Sequence, residues 1–192
     1  MKITFVTSNR AKFRGAREIL GGYGIRLARK EADLQEIQSL DVKEVALDKA
    51  IRAGRDIGGA FIVDDSGFYI KAMNGFPGAL LKMTHASIGD RGILAMCRGR
   101  PLKAAFASVL VFSRPGYIKS VAFSMAIEGR LAGSPRGTRD VGWAVQRIFV
   151  PAGYNKTIAQ LDNSEWKRFW GHFKVASHYA KLGRWLAWKG MC

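Results

Sequence analysis

The chain is short of acid. Only 15 Asp and Glu stand against 31 Lys and Arg, a formal charge of +16. An excess of that size concerns partners rather than fold. Phosphates, nucleic acid and an anionic membrane surface are the polyanions it would attract; a basic protein with no such partner is the plain alternative. Cysteine is scarce too. Cys97 and Cys192 are the only two, and their spacing is not that of a metal site. They could pair, but two free thiols in a reducing cytoplasm are the expectation. No apolar run approaches the roughly 20 residues of a membrane helix. The run in "MKITFVTSNR" is too short for a secretory signal. A cytoplasmic protein with no membrane partner is therefore expected. Repeats, low-complexity tracts and Pro-rich linkers are missing, and the five prolines are scattered singly.

What remains is 192 residues at 48% apolar content. That suits a single domain over 1–192 with a real core and two lobes. "KITFVTS" is β-branched and aromatic and reads as a buried strand. "RAKFRGAREILGGYG" carries Phe13, Ala16, Ile19 and Leu20 at helical spacing and stops at Gly21-Gly22. "GIRLARKEAD" reads as a second strand. "DVKEVALDKAIRAGRDIGG" opens with Asp41 as N-cap and Glu44 at capping-box spacing, then keeps a helical period through Val42, Val45, Ala46, Ala50 and Ile57. "AFIVDDS" is a buried strand and "SIGDRGILAMCRG" a helix. "AAFASVLVFS" and "SVAFSMAIEGRL" flank "RPGY" as a long hairpin. "AVQRIFVPAGY" is a short strand or loop, and the chain from Ser164 is helical. Early alternation of strand and helix followed by a hairpin predicts an α/β fold with a mixed central sheet and flanking helices around a cleft.

In such a sheet, ligands collect beyond the carboxyl ends of strands. Two stretches fall there. The first is Thr7-Ser8-Asn9 with Lys12, at the first strand-to-helix junction. Hydroxyls, an amide and helix N-terminal N–H groups suit phosphate, with Lys12 as a mobile cation; plain helix capping is the alternative. The second is Asp64-Asp65-Ser66-Gly67, at the end of an apolar strand. Adjacent strand residues point to opposite faces, so the two carboxylates have different tasks. One can face a cleft and bind a hard cation or activate water. A solvated turn is the other reading.

Together these stretches resemble the inosine triphosphate pyrophosphatases, which split non-canonical purine nucleoside triphosphates. "TSNRAK" is similar to their Thr-Gly/Ser-Asn-x-x-Lys, "DLQEIQ" (33–38) to Asp-Leu-Pro-Glu-Ile-Gln, and "VDDSGF" to Val-Asp-Asp-Ser/Thr-Gly. "NGFPGALLK" (74–82) resembles Gly-Gly-Phe-Pro-Gly-x-Tyr-x-Lys. "GSPRG" (133–137), "IFVPAGYNKTIAQ" (148–160) and "SHY" (177–179) follow in order and spacing. The resemblance implies magnesium-dependent cleavage of a nucleoside triphosphate to monophosphate and pyrophosphate. It implies Glu36, Asp65 and Asp64 at the metal and Asp65 activating water, with Lys12 beside it. Thr7, Ser8, Asn9, Lys12, Ser66 and Lys82 would hold the phosphates, Ser177 and His178 the base or phosphate. A homodimer is also implied.

The departures from the family pattern are not random, and those in Ser-His-Arg and in the aromatic-Asp segment fall on what the resemblance makes the base-reading half. Gly15 stands where the family has Glu, with Glu18 one helical turn later. Gln146 replaces the Asp of Phe-Gly-Tyr/Trp-Asp-Pro, Gln160 ends the Thr-x-Ala-Glu stretch, Phe173-Lys174 replace Lys-Asn, and Tyr179 replaces the Arg of Ser-His-Arg. A site that loses such donors and acceptors loses base discrimination.

The C-terminal segment 165–192 holds four of the five tryptophans. Trp166, Phe169, Trp170 and Phe173 follow i, i+3, i+4, i+7, the stripe of a helix packed on a core. Lys167, Arg168, Lys174, Lys181, Arg184 and Lys189 accompany a single acid, Glu165. Cations interleaved with aromatics also suit RNA, through phosphates and stacked bases. Two functions are thus weighed: a pyrophosphatase with altered base preference, and an inactive relative that holds RNA, on the ribosome or another ribonucleoprotein.

Overall fold

The computed structural model describes residues 1–32, 36–115 and 120–191. Asp33, Leu34 and Gln35 of "DLQEIQ", Gly116 and Tyr117 of the expected hairpin turn, and Cys192 lie outside the described residues. The elements are β1 (Lys2–Val6), α1 (Arg10–Gly21), β2 (Arg26–Lys30), α2 (Val42–Ala53), β3 (Phe61–Ile70), β4 (Pro77–Gly78), α3 (Leu81–Met96), β5 (Lys103–Ser113), β6 (Val121–Leu131), β7 (Phe149–Pro151), α4 (Asn163–Ala176) and α5 (His178–Trp188). Seven strands form one sheet in the order β2-β1-β3-β5-β6-β7, with β4 paired to β3. β1 is parallel to β2 and β3; β3, β5, β6 and β7 pair antiparallel in sequence. The mixed α/β sheet expected from the sequence is the one observed.

The period-2 alternation of β3 decides what covers each face. Ile62 joins Ile3, Phe5, Leu110 and Phe112 under α1 and α5. Phe61 and Val63 join Val6, Val109 and Val111 under α2. Farther along β3, Phe68 and Ile70 enter a third cluster with Leu81, Phe149 and Phe169. β1 lies between β2 and β3, and α1, which leads from β1 to β2, covers one face of the sheet while α2, which leads from β2 to β3, covers the other. The crevice beyond Val6 is therefore the switch point at which ligands bind in such sheets.

Several expectations change in detail. β3 does not end in a turn at "DDSG": Ser66 and Gly67 stay in strand, paired with Ser108 and Ala107. Gly67 is needed because β4 crosses closely; a Cβ there would lie 2.9 Å from the Gly78 backbone. Asp41 does cap α2, accepting from Lys43 N at 2.7 Å, but Glu44 takes the Ser39 hydroxyl at 2.7 Å and forms no capping box. α3 begins at Leu81, earlier than the periodicity suggests, and kinks at Gly89 (φ 60°, ψ −172°). The C-terminal helix is two helices, broken where Ser177 turns extended (φ −63°, ψ 156°) and caps α5. Cys97 is a free, buried thiol.

Candidate active site

A cleft of about 930 Å³ opens beyond the end of β1. It is lined by Thr7-Ser8-Asn9, Lys12, Gly15 and Glu18, and by Arg139–Ala144 with Trp166 and Trp170. Asp64, Asp65, Ser66 and Ser108 of the sheet form its floor.

The two aspartates point to opposite faces and meet different partners. Asp64 faces α1 and α5. One carboxylate oxygen accepts Lys12 Nζ at 3.0 Å; the other meets His178 Nε2 at 3.0 Å and accepts the Tyr179 hydroxyl. Burial alone would lift this carboxyl, but Lys12, His178 and the Tyr179 hydrogen bond outweigh it and hold it well below the usual carboxylate range. Burial, with the Asp64 charge beside it, pushes the Tyr179 phenol well above its ordinary value. Asp64 was expected among the metal ligands. Both its oxygens are spent and its side chain is 1% exposed, so it is the anchor of this wall instead.

Asp65 faces α2. One oxygen accepts Ser66 N at 2.8 Å, and the other accepts Lys49 Nζ at 2.7 Å. The same ammonium donates to Glu36 Oε1 at 2.6 Å. Burial would lower the Lys49 pKa, but the Asp65 and Glu36 charges raise it overall. Lys49 is the site residue that sequence reading missed. Its signal was present: it sits at i+7 in the stripe Val42, Val45, Ala46, Ala50, Ala53, which is otherwise apolar and buried. A lysine there needs an acid inside.

The donor set suits a divalent cation. Two carboxylates converge on one cationic point, with cleft beside them for water and phosphate oxygens. Mg²⁺ is commonly held in this way, by one or two carboxylates plus substrate phosphates. Among the described residues, no group of three or more acids, histidines and cysteines makes a site complete without substrate.

The remaining expected residues divide. Thr7, Ser8, Asn9, Lys12, Ser66, Lys82 and His178 all line the cleft. Asn9 spends its side-chain oxygen on Ala11 N and Lys12 N as the cap of α1, and Thr7 Oγ1 accepts Asn9 N. Ser66 Oγ bonds Ser108 Oγ at 2.9 Å. Lys82 is exposed on α3. Ser177 does not reach the cleft: it is fully buried and caps α5 through Ala180 N. His178 Nδ1 is buried with no hydrogen-bond partner among the described residues.

The positions that depart from the family pattern have tasks of their own. Gln146 turns inward, accepts Val141 N at 2.7 Å and donates to Asp140 at 3.2 Å, which pins the loop Asp140–Trp143. Gln160 accepts Thr157 N in a capping box. Glu18 accepts Trp170 Nε1 at 3.2 Å and Lys174 Nζ at 3.1 Å, tying α1 to α4. Gly15 lies close beneath this contact: a Cβ there would sit 3.1 Å from the Trp170 ring, which would have to shift by a few tenths of an ångström. Phe173 stacks on Trp170 at 4.9 Å and Phe106 on Trp143 at 4.6 Å. Of the α4 stripe that helical spacing suggested, Phe169 is buried, while Trp166, Trp170 and Phe173 are half-buried and line the cleft.

Of the six basic residues considered for RNA, Lys167, Arg168, Lys181, Arg184 and Lys189 are exposed, and Lys174 is half-buried against Glu18. Arg168 lies over the Tyr154 ring and Lys189 over Trp188, while Lys181 and Arg184 donate to backbone carbonyls.

A switch-point crevice floored by aspartates and lined by Lys12, Lys49 and Lys82 is where an open α/β sheet of this kind binds its ligands. The chain belongs to the Ham1 family, whose model matches residues 3–178. It is 36% identical to a dITP/XTP pyrophosphatase of Methanopyrus kandleri, over 98% of this chain and 96% of that protein. It is 32% identical to the enzyme of the same name from Thermococcus kodakarensis, covering 88% and 89%. The solved nucleoside-triphosphatase / dITP/XTP pyrophosphatase of Mycobacterium abscessus superposes with a TM-score of 0.73 at 27% identity, covering 97% of each chain. A HAM1 protein of Coxiella burnetii gives 0.80 at 22% identity, over 97% and 98%, a likeness of fold. The resemblance drawn from the seven motifs is borne out.

Proposed function

We propose that the chain is a magnesium-dependent pyrophosphatase that cleaves non-canonical purine nucleoside triphosphates to monophosphate and pyrophosphate. The observation that carries this is the convergence of Glu36 and Asp65 on one cationic point at the switch-point crevice. The names of the relatives support it. Glu36 and Asp65 would hold the cation, which supplies charge neutralisation on the triphosphate. Lys82 and the exposed Ser8 offer cations and hydroxyls to phosphate oxygens. Lys12, fixed by Asp64, keeps a positive charge at the N-terminus of α1. Asp65 takes a proton from the attacking water as its oxygen bonds to the α-phosphorus. The bond from that phosphorus to the bridging oxygen breaks, and pyrophosphate leaves as the anion. Product analysis tests this. With magnesium, pyrophosphate is expected from dITP, XTP and ITP, with the margin over ATP and GTP narrowed by the substituted base-reading positions. Release from none of them would overturn the reading.

The basic surface favours a second reading, in which the chain is a catalytically inactive family member that holds RNA in the cytoplasm. Exposed Lys167, Arg168, Lys181, Arg184 and Lys189 within a chain of charge +16 support it. Phe169 is buried, and Trp166, Trp170 and Phe173 turn to the cleft rather than outward beside the exposed lysines and arginines, which favours phosphate contact over base stacking on that outer surface. RNA affinity that falls steeply with salt is the expected sign of it. A homodimer remains the expectation that family resemblance supplies, and sedimentation tests it.

A further inference from the structure

We propose that Lys49 is a tethered counter-ion that occupies the divalent-cation position until a polyanion draws it away, so that metal and nucleotide enter the site together. This rests on the pyrophosphatase reading above and adds an order to it. Lys49 Nζ lies 2.6 Å from Glu36 Oε1 and 2.7 Å from Asp65 Oδ2. Those are the oxygens that a hard cation would need, at roughly 2.0–2.1 Å for Mg²⁺. Ammonium and metal cannot share them, because two cations at that separation repel strongly in a part-buried site.

The rest of the site gives Lys49 little other purpose. The second Asp65 oxygen is held by Ser66 N. Lys12 is committed to Asp64 on the other face of the sheet. The α2 backbone is fixed by buried Val45, Ala46 and Ala50, so only the flexible lysine side chain can yield. With Lys49 in place, the Glu36–Asp65 pair keeps one net negative charge of two, and its attraction for a divalent ion is halved. A nucleoside triphosphate brings its own negative charges and offers Lys49 another anion. The carboxylates are then released to the metal that travels with the phosphates. A metal-free, nucleotide-free site is thereby also kept from paired-carboxylate repulsion.

The test is Mn²⁺ binding to the full chain without nucleotide, read from the loss of the free-ion electron paramagnetic resonance signal. Wild type is compared with Lys49→Gln, Lys49→Met and Lys49→Arg, with folding checked by circular dichroism. The Gln and Met variants are expected to bind Mn²⁺ at least about tenfold tighter than wild type. Lys49→Arg, which keeps the charge, should stay as weak as wild type. Should the neutral variants fail to fold, an Arg variant that binds much more tightly than wild type would still overturn the proposal. Equal affinity in wild type and folded neutral variants, abolished by Asp65→Asn, would overturn the proposal and leave the metal reading intact. No binding by any of them would overturn the proposal, and magnesium-dependent pyrophosphate release then decides the metal reading by itself.

Discussion

Replacing Asp65 with Asn should lower pyrophosphate release by roughly 10²–10⁴-fold while leaving the fold in place. The asparagine can still accept Ser66 N, the 2.8 Å bond that sets the side chain's direction. What it loses is charge, and with it three things at once: proton acceptance, a carboxylate oxygen for the cation, and the Lys49 ion pair. Steady-state rates across magnesium concentrations measure the loss. A variant within about threefold of wild type would show that the carboxylate takes no part in the reaction.

Replacing Asp64 with Ala should instead strike stability, by about 3 kcal/mol, at the low end of what breaking a buried ion pair costs. Its removal strands Lys12, His178 Nε2 and the Tyr179 hydroxyl at one buried point. Lys12 is 25% exposed and can recover water, which is why the upper end is not expected. Tyr179→Phe removes one hydrogen bond together with its donor and should cost about 1 kcal/mol. Urea midpoints compare the two. The same carboxylate imposes a pH dependence. Folding depresses its pKa, so below about pH 4 the unfolded chain takes up a proton that the native chain still refuses. The unfolded state then binds more protons, and stability rises with pH through that window. The Asp64 contribution is full above about pH 4 and is lost as pH falls toward the lower native value. Asp64→Ala should show a flatter acid limb than wild type.

The frame of the molecule could be read from the sequence because its causes are local. The β-branched run Lys2–Val6, the helical period of α1 and the apolar hairpin β5–β6 each follow from neighbours along the chain. That Asp64 and Asp65 work on opposite faces followed from strand geometry alone. Their partners did not. Lys49 meets Asp65 only through the packing of α2 on β3, and Tyr179 meets Asp64 across 115 residues. The alternative of a solvated turn at "DDSG" failed for the same reason: Gly67 serves the close passage of β4, a tertiary fact. Motif resemblance located Ser177, yet its hydroxyl is spent on the helix break between α4 and α5, which helical periodicity ran through.

Hydrolysis of ITP in ¹⁸O-labelled water with magnesium, followed by mass spectrometry of the products, tests the central claim most directly. The account predicts pyrophosphate without label and inosine monophosphate carrying one ¹⁸O, because water attacks the α-phosphorus. Label in orthophosphate, or no turnover of any purine triphosphate, would contradict it.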